Sequence, residues 1–310
     1  MKYAVISDIH GNNHAFQAVL ADAEAIGVDT YLLLGDYASS FPQGGEVVDA
    51  IRKLKSAVVV RGNGEDYFAP LKGKDFKELT HEQMKPVYWG YRSLSPENLD
   101  YVLNLPQTAA FTDCGIKVNL EHNTSMFYQQ PKIKPFWSEH FRELMEEKPF
   151  THDEYLRFAR ETFLSTPGVA DEILQRPKGV YLCGHNHLQF HMEYEGRLFV
   201  NPGSCGEPLD WDTRAAYTLL AISDSGWEVE ERRVEYDTQL IIDALDSSGF
   251  TAYAPVWSRV MKKETLEAKD SFAPLVWHVL ETGRKMGEYT SPVSNVVWEE
   301  AVKTWDMDKV

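Results

Sequence analysis

Apolar positions in the first 66 residues switch between two periods. Tyr3 to Ser7 is a short continuous apolar run that predicts a buried strand, whereas Asn13 to Ile26 sets Ala15, Phe16, Val19, Leu20 and Ala23 at helical spacing. Thr30 to Leu34 predicts a second strand leading into Gly35 and Asp36. A helix is expected from about Gly45 to Leu54, and Ala57 to Val60 predicts a third strand that ends at Arg61-Gly62-Asn63-Gly64. The alternation strand, helix, strand, helix, strand argues for parallel pairing with right-handed crossovers. That topology gathers the loops at the carboxyl ends of the strands into one crevice.

From Tyr67 to Pro106 the pattern turns helical and irregular, and Tyr67, Phe68, Tyr88, Trp89 and Tyr91 mark it as an insertion, about residues 67–107, that covers the crevice. Thr108 to Thr112 and Lys117 to Leu120 read as a strand pair, the second running into His122. A second insertion is expected over about residues 123–165, with Pro131, Pro135 and Pro149 and a helix candidate from His152 to Leu164; another helix candidate spans Val169 to Leu174. Gly179 to Cys183 predicts a strand delivering Gly184-His185-Asn186-His187. Leu188 to Tyr194, Arg197 to Val200, Ala215 to Ile222 and Trp227 to Val234 follow as antiparallel strands. A helix capped by Asp237 closes this unit at Ser247-Ser248-Gly249. Residues 249–310 then form a mostly helical accessory segment holding Trp257, Trp277, Trp298 and Trp305, with a helical pattern around Ala273 to Met286.

Composition narrows the partners. The chain has 310 residues with 43% hydrophobic and 25% charged positions, the balance of an ordinary globular protein. A formal net charge of -16 speaks against a long nucleic acid, whose binding needs many Lys and Arg against phosphates. A small anionic substrate stays open, because bound cations invert the local field. Cys114, Cys183 and Cys205 are too few and scattered for a disulfide framework. The first residues read as a strand, not as a signal peptide or membrane span, so the expected location is the cytoplasm, with no membrane partner.

The polar residues at the strand ends carry the chemistry. Asp8 and His10 leave the same face of an extended segment, which suits a metal ion and equally a hydrogen-bonded strand end. Asp36 is either a ligand or a helix cap, Gly62-Asn63-Gly64 a ligand loop or a glycine-rich turn, and His122 taken alone a structural histidine. His185 and His187, at alternate positions after an apolar strand, are harder to read as anything but metal ligands. The force lies in coincidence: five strand ends each deliver Asp, Asn or His into one crevice. The mixed oxygen and nitrogen donors without a thiolate suit a pair of divalent ions such as Mn, Fe, Zn, Co or Ni better than Ca, with Mn the first choice.

Asp8-x-His10, Gly35-Asp36, Gly62-Asn63, His122 and Gly184-His185-x-His187 resemble the calcineurin-like metallophosphoesterases, over residues 3 to about 246. Asn201-Pro202-Gly203-Ser204 and Arg214-Ala215-Ala216-Tyr217 look like the smaller bacterial and archaeal phosphodiesterase branch. The resemblance implies an α/β fold, a four-layer α/β/β/α sandwich of two mixed sheets, with a metallophosphoesterase domain over residues 1–248. It implies one metal on Asp8, His10, Asp36 and His187, and a second on Asp36, Asn63, His122 and His185. Asp36 then bridges the ions, and a hydroxide between them attacks phosphorus in line with the leaving oxygen. Asp36, Asn63 and His122 are the expected catalytic residues, and Cys183 and Ser204 have no covalent role.

Where many relatives carry a histidine as proton donor to the leaving group, this chain has Gly64, which favours phosphoanhydrides or activated diesters. His14, Glu65 and Asp66 are candidate substitutes, and Asn12 and Arg61 candidate phosphate binders. Asn123 replaces the usual glycine after the ligand histidine, with Thr124 and Ser125 beyond it. The expected activity is hydrolysis of a small phosphodiester or phosphoanhydride, such as a nucleotide or dinucleoside polyphosphate, with insertion aromatics stacking on a base. The alternatives are a phosphoprotein serine/threonine phosphatase and a non-catalytic metal-binding scaffold. The accessory segment is expected either to mediate homo-oligomerisation or to fold back as a lid.

Overall fold

The computed structural model describes residues 1–123, 151, 153–154, 157, 161, 165 and 168–307. Nearly all of the second insertion, with Thr124, Ser125, the three prolines and most of the helix candidate His152 to Leu164, lies outside the described residues. The order is β1 (Lys2–Ile6), α1 (Asn13–Ile26), β2 (Thr30–Leu33), α2 (Gly44–Arg52), β3 (Ala57–Val59), α3 (Asn63–Asp66), α4 (Lys85–Ser93), α5 (Pro96–Leu103), β4 (Thr108–Asp113) and β5 (Ile116–Glu121). Then come α6 (Val169–Gln175), β6 (Gly179–Leu182), β7 (Gln189–Tyr194), β8 (Arg197–Pro202), β9 (Ala215–Ser223), β10 (Gly226–Val234) and α7 (Thr238–Ser247). The chain continues with α8 (Phe250–Tyr253), α9 (Pro255–Glu267), α10 (Phe272–Lys285) and α11 (Asn295–Thr304).

Two mixed five-stranded sheets flanked by helices form the α/β body. One runs β10-β9-β1-β2-β3 and the other β4-β5-β6-β8-β7. The alternation along β1 shows why it reads as wholly apolar. Tyr3 and Val5 face the second sheet, joining Val118, Leu120, Val180 and Leu182, while Ala4 and Ile6 face Phe16, Val19 and Val47 of the helices. Strands buried on both faces lose the polar alternation and leave a continuous hydrophobic run.

Register sets the site. β1 and β2 are parallel with Ile6 opposite Leu33, and the pairing continues past their ends through Asp8 N–H to Gly35 O and His10 N–H to Asp36 O. In the second sheet Leu120 stands opposite Leu182, and Gly184 N–H donates to His122 O. Ends of neighbouring parallel strands thus lie level, and their loops meet.

The C-terminal segment folds back on its own body. Phe250, Trp257, Val260, Met261, Leu275, Val279 and Trp298 pack with Ile241 and Leu245 of α7 and with Phe41 and Trp89 of the body. Trp257 Nε1 donates to Glu82 O, and its ring lies against Phe272 and Trp298. No described helix is long and apolar enough to cross a membrane.

Candidate metal centre

All seven donors found at the strand ends meet in one place. Asp8, His10 and His187 form one set and Asp36, His122 and His185 another, each with donor atoms within 4.8 Å of one another. Asn63 Oδ1 lies 3.1 Å from His122 Nε2. Asp36 stands between the sets, its Oδ2 3.4 Å from His122 Nε2 and 3.8 Å from His10 Nε2. Asp8 Oδ1 leans to the first set, 3.5 Å from His187 Nε2 and 3.8 Å from His10 Nε2, with His122 Nε2 at 3.9 Å.

Backbone geometry aims these side chains. Asp8, His10, Asp36, His185 and His187 all have positive φ, at 52°, 53°, 57°, 76° and 60°. Such residues pay roughly 1–3 kcal/mol each in strain and cluster at functional sites. Close approach adds a second constraint: a Cβ on Gly62 would overlap the Asp36 carboxylate, and one on Gly184 would overlap the Ser7 hydroxyl. Hydrogen bonds then orient the rings. His122 Nδ1 donates to Leu34 O at 2.9 Å, His187 Nδ1 donates to Glu207 O at 2.6 Å, and His10 Nδ1 lies 3.2 Å from Ser39 Oγ. This leaves the Nε2 atoms to the centre, the arrangement by which outer partners fix metal-ligating histidines.

The charges are matched. Burial pushes the Asp8 and Asp36 carboxyls up, but the surrounding imidazoles outweigh it: Asp8 is lowered to about 2 and Asp36 falls well below the usual carboxylate range. Burial pushes His10 down, yet Glu207, Asp8 and Asp36 raise it to about 9; His122 is raised likewise, to about 9, by Asp36 and Asp8. His185 goes the other way, down to about 4, through burial and the neighbouring His122. His10 Nε2 and His187 Nε2 approach to 3.1 Å. Two ring nitrogens this close need a proton or another cation between them, and metal binding at such donors releases protons. The set of carboxylates, an amide oxygen and imidazoles fits borderline divalent ions.

Other expectations require correction. Asn12 is completely buried and fully engaged: it caps α1 through Oδ1 to Ala15 N–H, and its Nδ2 donates to Gly206 O and Tyr236 Oη. Nothing is left for a phosphate. Arg61 is turned to α5, donating to Leu103 O at 2.8 Å and pairing with Asp66 at 2.8 Å, and neither is among the described residues that line the cavity. Glu65 instead braces Asp36 from behind, accepting from Asp36, Tyr37 and Gly62 N–H. His14 contacts Gln43 outside the cavity lining. Asn123 Nδ2 is 3.4 Å from Asn63 Oδ1. Of the described insertion aromatics only Tyr67 lines the cavity; Tyr88 and Trp89 are buried in packing. Ser204 Oγ donates to Asp8 O and accepts Glu207 N–H, and Cys183 is buried against Val200 O.

A cavity of about 220 Å³ opens over the centre. Its lining includes residues that local sequence patterns did not single out: Ser39 and Ser40, Glu207 from the loop after β8, and Glu264, Asp270 and Phe272 from the C-terminal segment. Ser39 and Ser40 follow Asp36 directly and could have been suspected from that proximity. Glu264 and Asp270 lie more than 220 residues further along the chain and only tertiary packing brings them here. Burial pushes Asp270 up to about 6 and Glu264 well above the carboxylate range, with Glu207 adding to both.

Comparisons with known proteins agree with this geometry. Residues 1–225 match the model of the calcineurin-like phosphoesterase superfamily domain. An uncharacterized protein of Methanocaldococcus jannaschii is 28% identical over 250 residues, covering 76% of this chain and 87% of that protein. A metallophosphoesterase crystal structure from Sphaerobacter thermophilus is 23% identical with a TM-score of 0.55, covering 84% of this chain and 99% of that one. A hypothetical protein from Pyrococcus horikoshii OT3 is 20% identical with a TM-score of 0.59, covering 83% and 97%. At these identities the two structures share the fold. With its sheets, its strand-end donors and a family match over most of its length, the chain belongs to the calcineurin-like phosphoesterase superfamily.

Proposed function

We propose that this phosphoesterase hydrolyses a small phosphodiester or phosphoanhydride, using two divalent transition ions with Mn as first choice. Asp8, His10, Asp36 and His187 would hold one ion, and Asp36, Asn63, His122 and His185 the other. The observation that carries this reading is the position of Asp36, its Oδ2 within 3.8 Å of an imidazole from each donor set. When bound, such a pair of ions lowers the pKa of water from about 15.7 towards about 7 and stabilises the attacking and leaving oxygens.

The protein's own groups supply the rest. Glu65 holds the backbone of Asp36 and Gly62, and Ser39 holds His10. A Cβ at Gly64 would meet Asp36 Oδ1 and Ser39 Oγ at 2.9 Å each, so the space near the usual proton donor is taken. This supports substrates whose leaving group departs with little protonation. A cavity below the ~300 to 1,000 Å³ of drug-sized sites suits a small ester better than a dinucleoside polyphosphate or a phosphoprotein. Three free cysteines suit a reducing cytoplasm.

The test is turnover of bis(4-nitrophenyl) phosphate with added Mn, compared with Asp36→Asn. Hydrolysis by the wild type with about two ions bound per chain is expected. Undiminished turnover in the variant, or fewer than one ion bound with no hydrolysis, rejects the reading.

A further inference from the structure

Beside the metal centre the cavity is lined by an acidic wall whose carboxyls lie outside the two donor sets. Glu207 and Glu264 are 7% and 2% exposed, and both line the cavity together with the partly exposed Asp270. Glu264 Oε1 accepts the backbone N–H groups of Ser271 and Phe272, each at 2.7 Å, while its Oε2 has no partner. Glu207 Oε2 is 3.7 Å from His10 Nδ1, and its Oε1 has no partner. Asp270 Oδ1 accepts Ala273 N–H. The wall is fixed in place, since Trp211 N–H donates to Ala268 O and ties the loop of Glu207 to the turn between α9 and α10.

Among the described residues no lysine or arginine lines the cavity. The cations nearby are committed elsewhere: Arg233 pairs with Asp210, Arg214 with Asp212, and Lys269 Nζ sits 5.6 Å from the centre of the Trp211 ring. Buried acceptors without donors are costly, and a wall of carboxyl groups beside a phosphate-binding centre disfavours an ordinary phosphoester. Both costs vanish if the substrate itself brings positive charge and N–H donors.

The form of that cation follows from the spacing. Glu207, Glu264 and Asp270 are not among the sets of described residues whose donor atoms lie within 4.8 Å of one another, so a bare metal ion is the wrong size. A quaternary ammonium has no N–H to offer Glu207 Oε1 or Glu264 Oε2. A primary ammonium has three donors for separate acceptors and is compact enough for the cavity. We propose that Glu207, Glu264 and Asp270 recognise a primary ammonium group carried by the phosphoester substrate, making an aminoalkyl phosphoester the substrate class. This rests on the phosphoesterase reading of the metal centre.

The experiment uses the full-length, Mn-loaded protein and two 4-nitrophenyl phosphodiesters that differ in one arm, 2-aminoethyl or n-propyl. The leaving group is the same, so the ratio of kcat/KM reads only the ammonium. A preference of about tenfold or more for the aminoethyl ester is expected, falling towards one in Glu264→Gln and Asp270→Asn. Equal kcat/KM in the wild type overturns the proposal and leaves the phosphoesterase reading standing. A preference unchanged in both variants also overturns it, by removing the wall as its source. Calorimetry with 2-aminoethyl phosphate and n-propyl phosphate gives a readout free of turnover, with about tenfold tighter binding of the first expected and equal binding contrary to the proposal. If neither ester is hydrolysed but 2-aminoethyl phosphate still binds tenfold tighter, recognition stands and the phosphoesterase reading falls. Neither turnover nor a binding difference sinks both.

Discussion

At the metal centre every acid has a basic neighbour: Asp8 and Asp36 lie among His10, His122 and His187, and their carboxyls are held down. On the adjoining wall of the same cavity, formed by Glu207, Glu264 and Asp270, no described lysine or arginine is in the lining, and the Glu264 and Asp270 carboxyls are pushed up. The two walls also differ in construction. One is made by strand ends whose heights are fixed by sheet register, the other, apart from Glu207 in the loop after β8, by a helix end and a turn held through side-chain packing. Register places functional groups at sites dictated by backbone hydrogen bonds. Packing places them wherever the hydrophobic faces of helices happen to close. The first wall can therefore serve a chemistry common to a fold, while the second can vary and adapt it to a substrate.

The sharpest way to break this comparison is at Asp36. Asp36→Asn is expected to lower kcat/KM roughly 10³-fold or more, since it removes charge from the group between both donor sets. Bound metal, measured by mass spectrometry of the desalted protein, should fall to one ion or fewer per chain. Glu264→Gln should retain both ions. Loss of metal in Glu264→Gln as well would mean that the two walls are one electrostatic unit. Next in size is the packing that holds the second wall. Trp257 is 1% exposed and central to the C-terminal cluster, so Trp257→Ala should cost about 3–5 kcal/mol in urea unfolding. A loss below about 1 kcal/mol would show that the wall is held by something other than this cluster.

The same difference explains what could be read from the sequence. Tyr3 to Ser7, Thr30 to Leu34 and Gly179 to Cys183 are continuous apolar runs because their strands are buried on both faces, and each is punctuated by its own Asp or His. Period and punctuation are local, and the crevice follows from crossover topology. Asn12 and Arg61 are instead engaged in a helix cap and an ion pair, chemistry that is also local in the sequence but less prominent there than their position next to ligands. Glu264 and Asp270 left no trace in the pattern. A glutamate near the end of an amphipathic helix ordinarily faces water, and only the packing of α9 and α10 against Phe41 and Trp89 turns it inward. Five left-handed residues at the centre were likewise invisible, since Asp and His carry no mark of the φ they adopt.

Titration sharpens the contrast further. The folded protein holds the Asp270 proton up to about pH 6, above the ordinary 3.8, so folding binds a proton through this window and stability falls as pH rises across it. Asp270→Asn keeps an oxygen for Ala273 N–H and removes the titration. In metal-free protein the variant should match the wild type near pH 4 and exceed it above pH 6 by about 1–2 kcal/mol, allowing for partial exposure. Urea unfolding at the two pH values checks this, and a variant less stable at both would show that the charge is already compensated.

The smallest effect is expected where the fold's outer layer pairs its acids. Asp22 on α1 accepts from Arg232 Nε and Nη2 at 2.9 and 3.2 Å and from Tyr217 Oη at 2.5 Å, linking the helix to β9 and β10. Burial nudges its carboxyl up, but Arg232 and then Tyr217 outweigh this and hold it below the ordinary 3.8. Here the sign is opposite to that of Asp270: the unfolded chain binds the proton more readily, so the contribution is present above about pH 4 and lost as pH falls through the folded value. With about a quarter of each side chain exposed, at 27% and 29%, the ion pair is worth less than about 1 kcal/mol. Asp22→Asn should therefore lower the urea midpoint slightly at pH 7 and not at pH 2.5. An equal deficit at both would assign the link to the Tyr217 hydrogen bond alone, and the matched acids of the body would then owe their stability to neutral contacts rather than to charge.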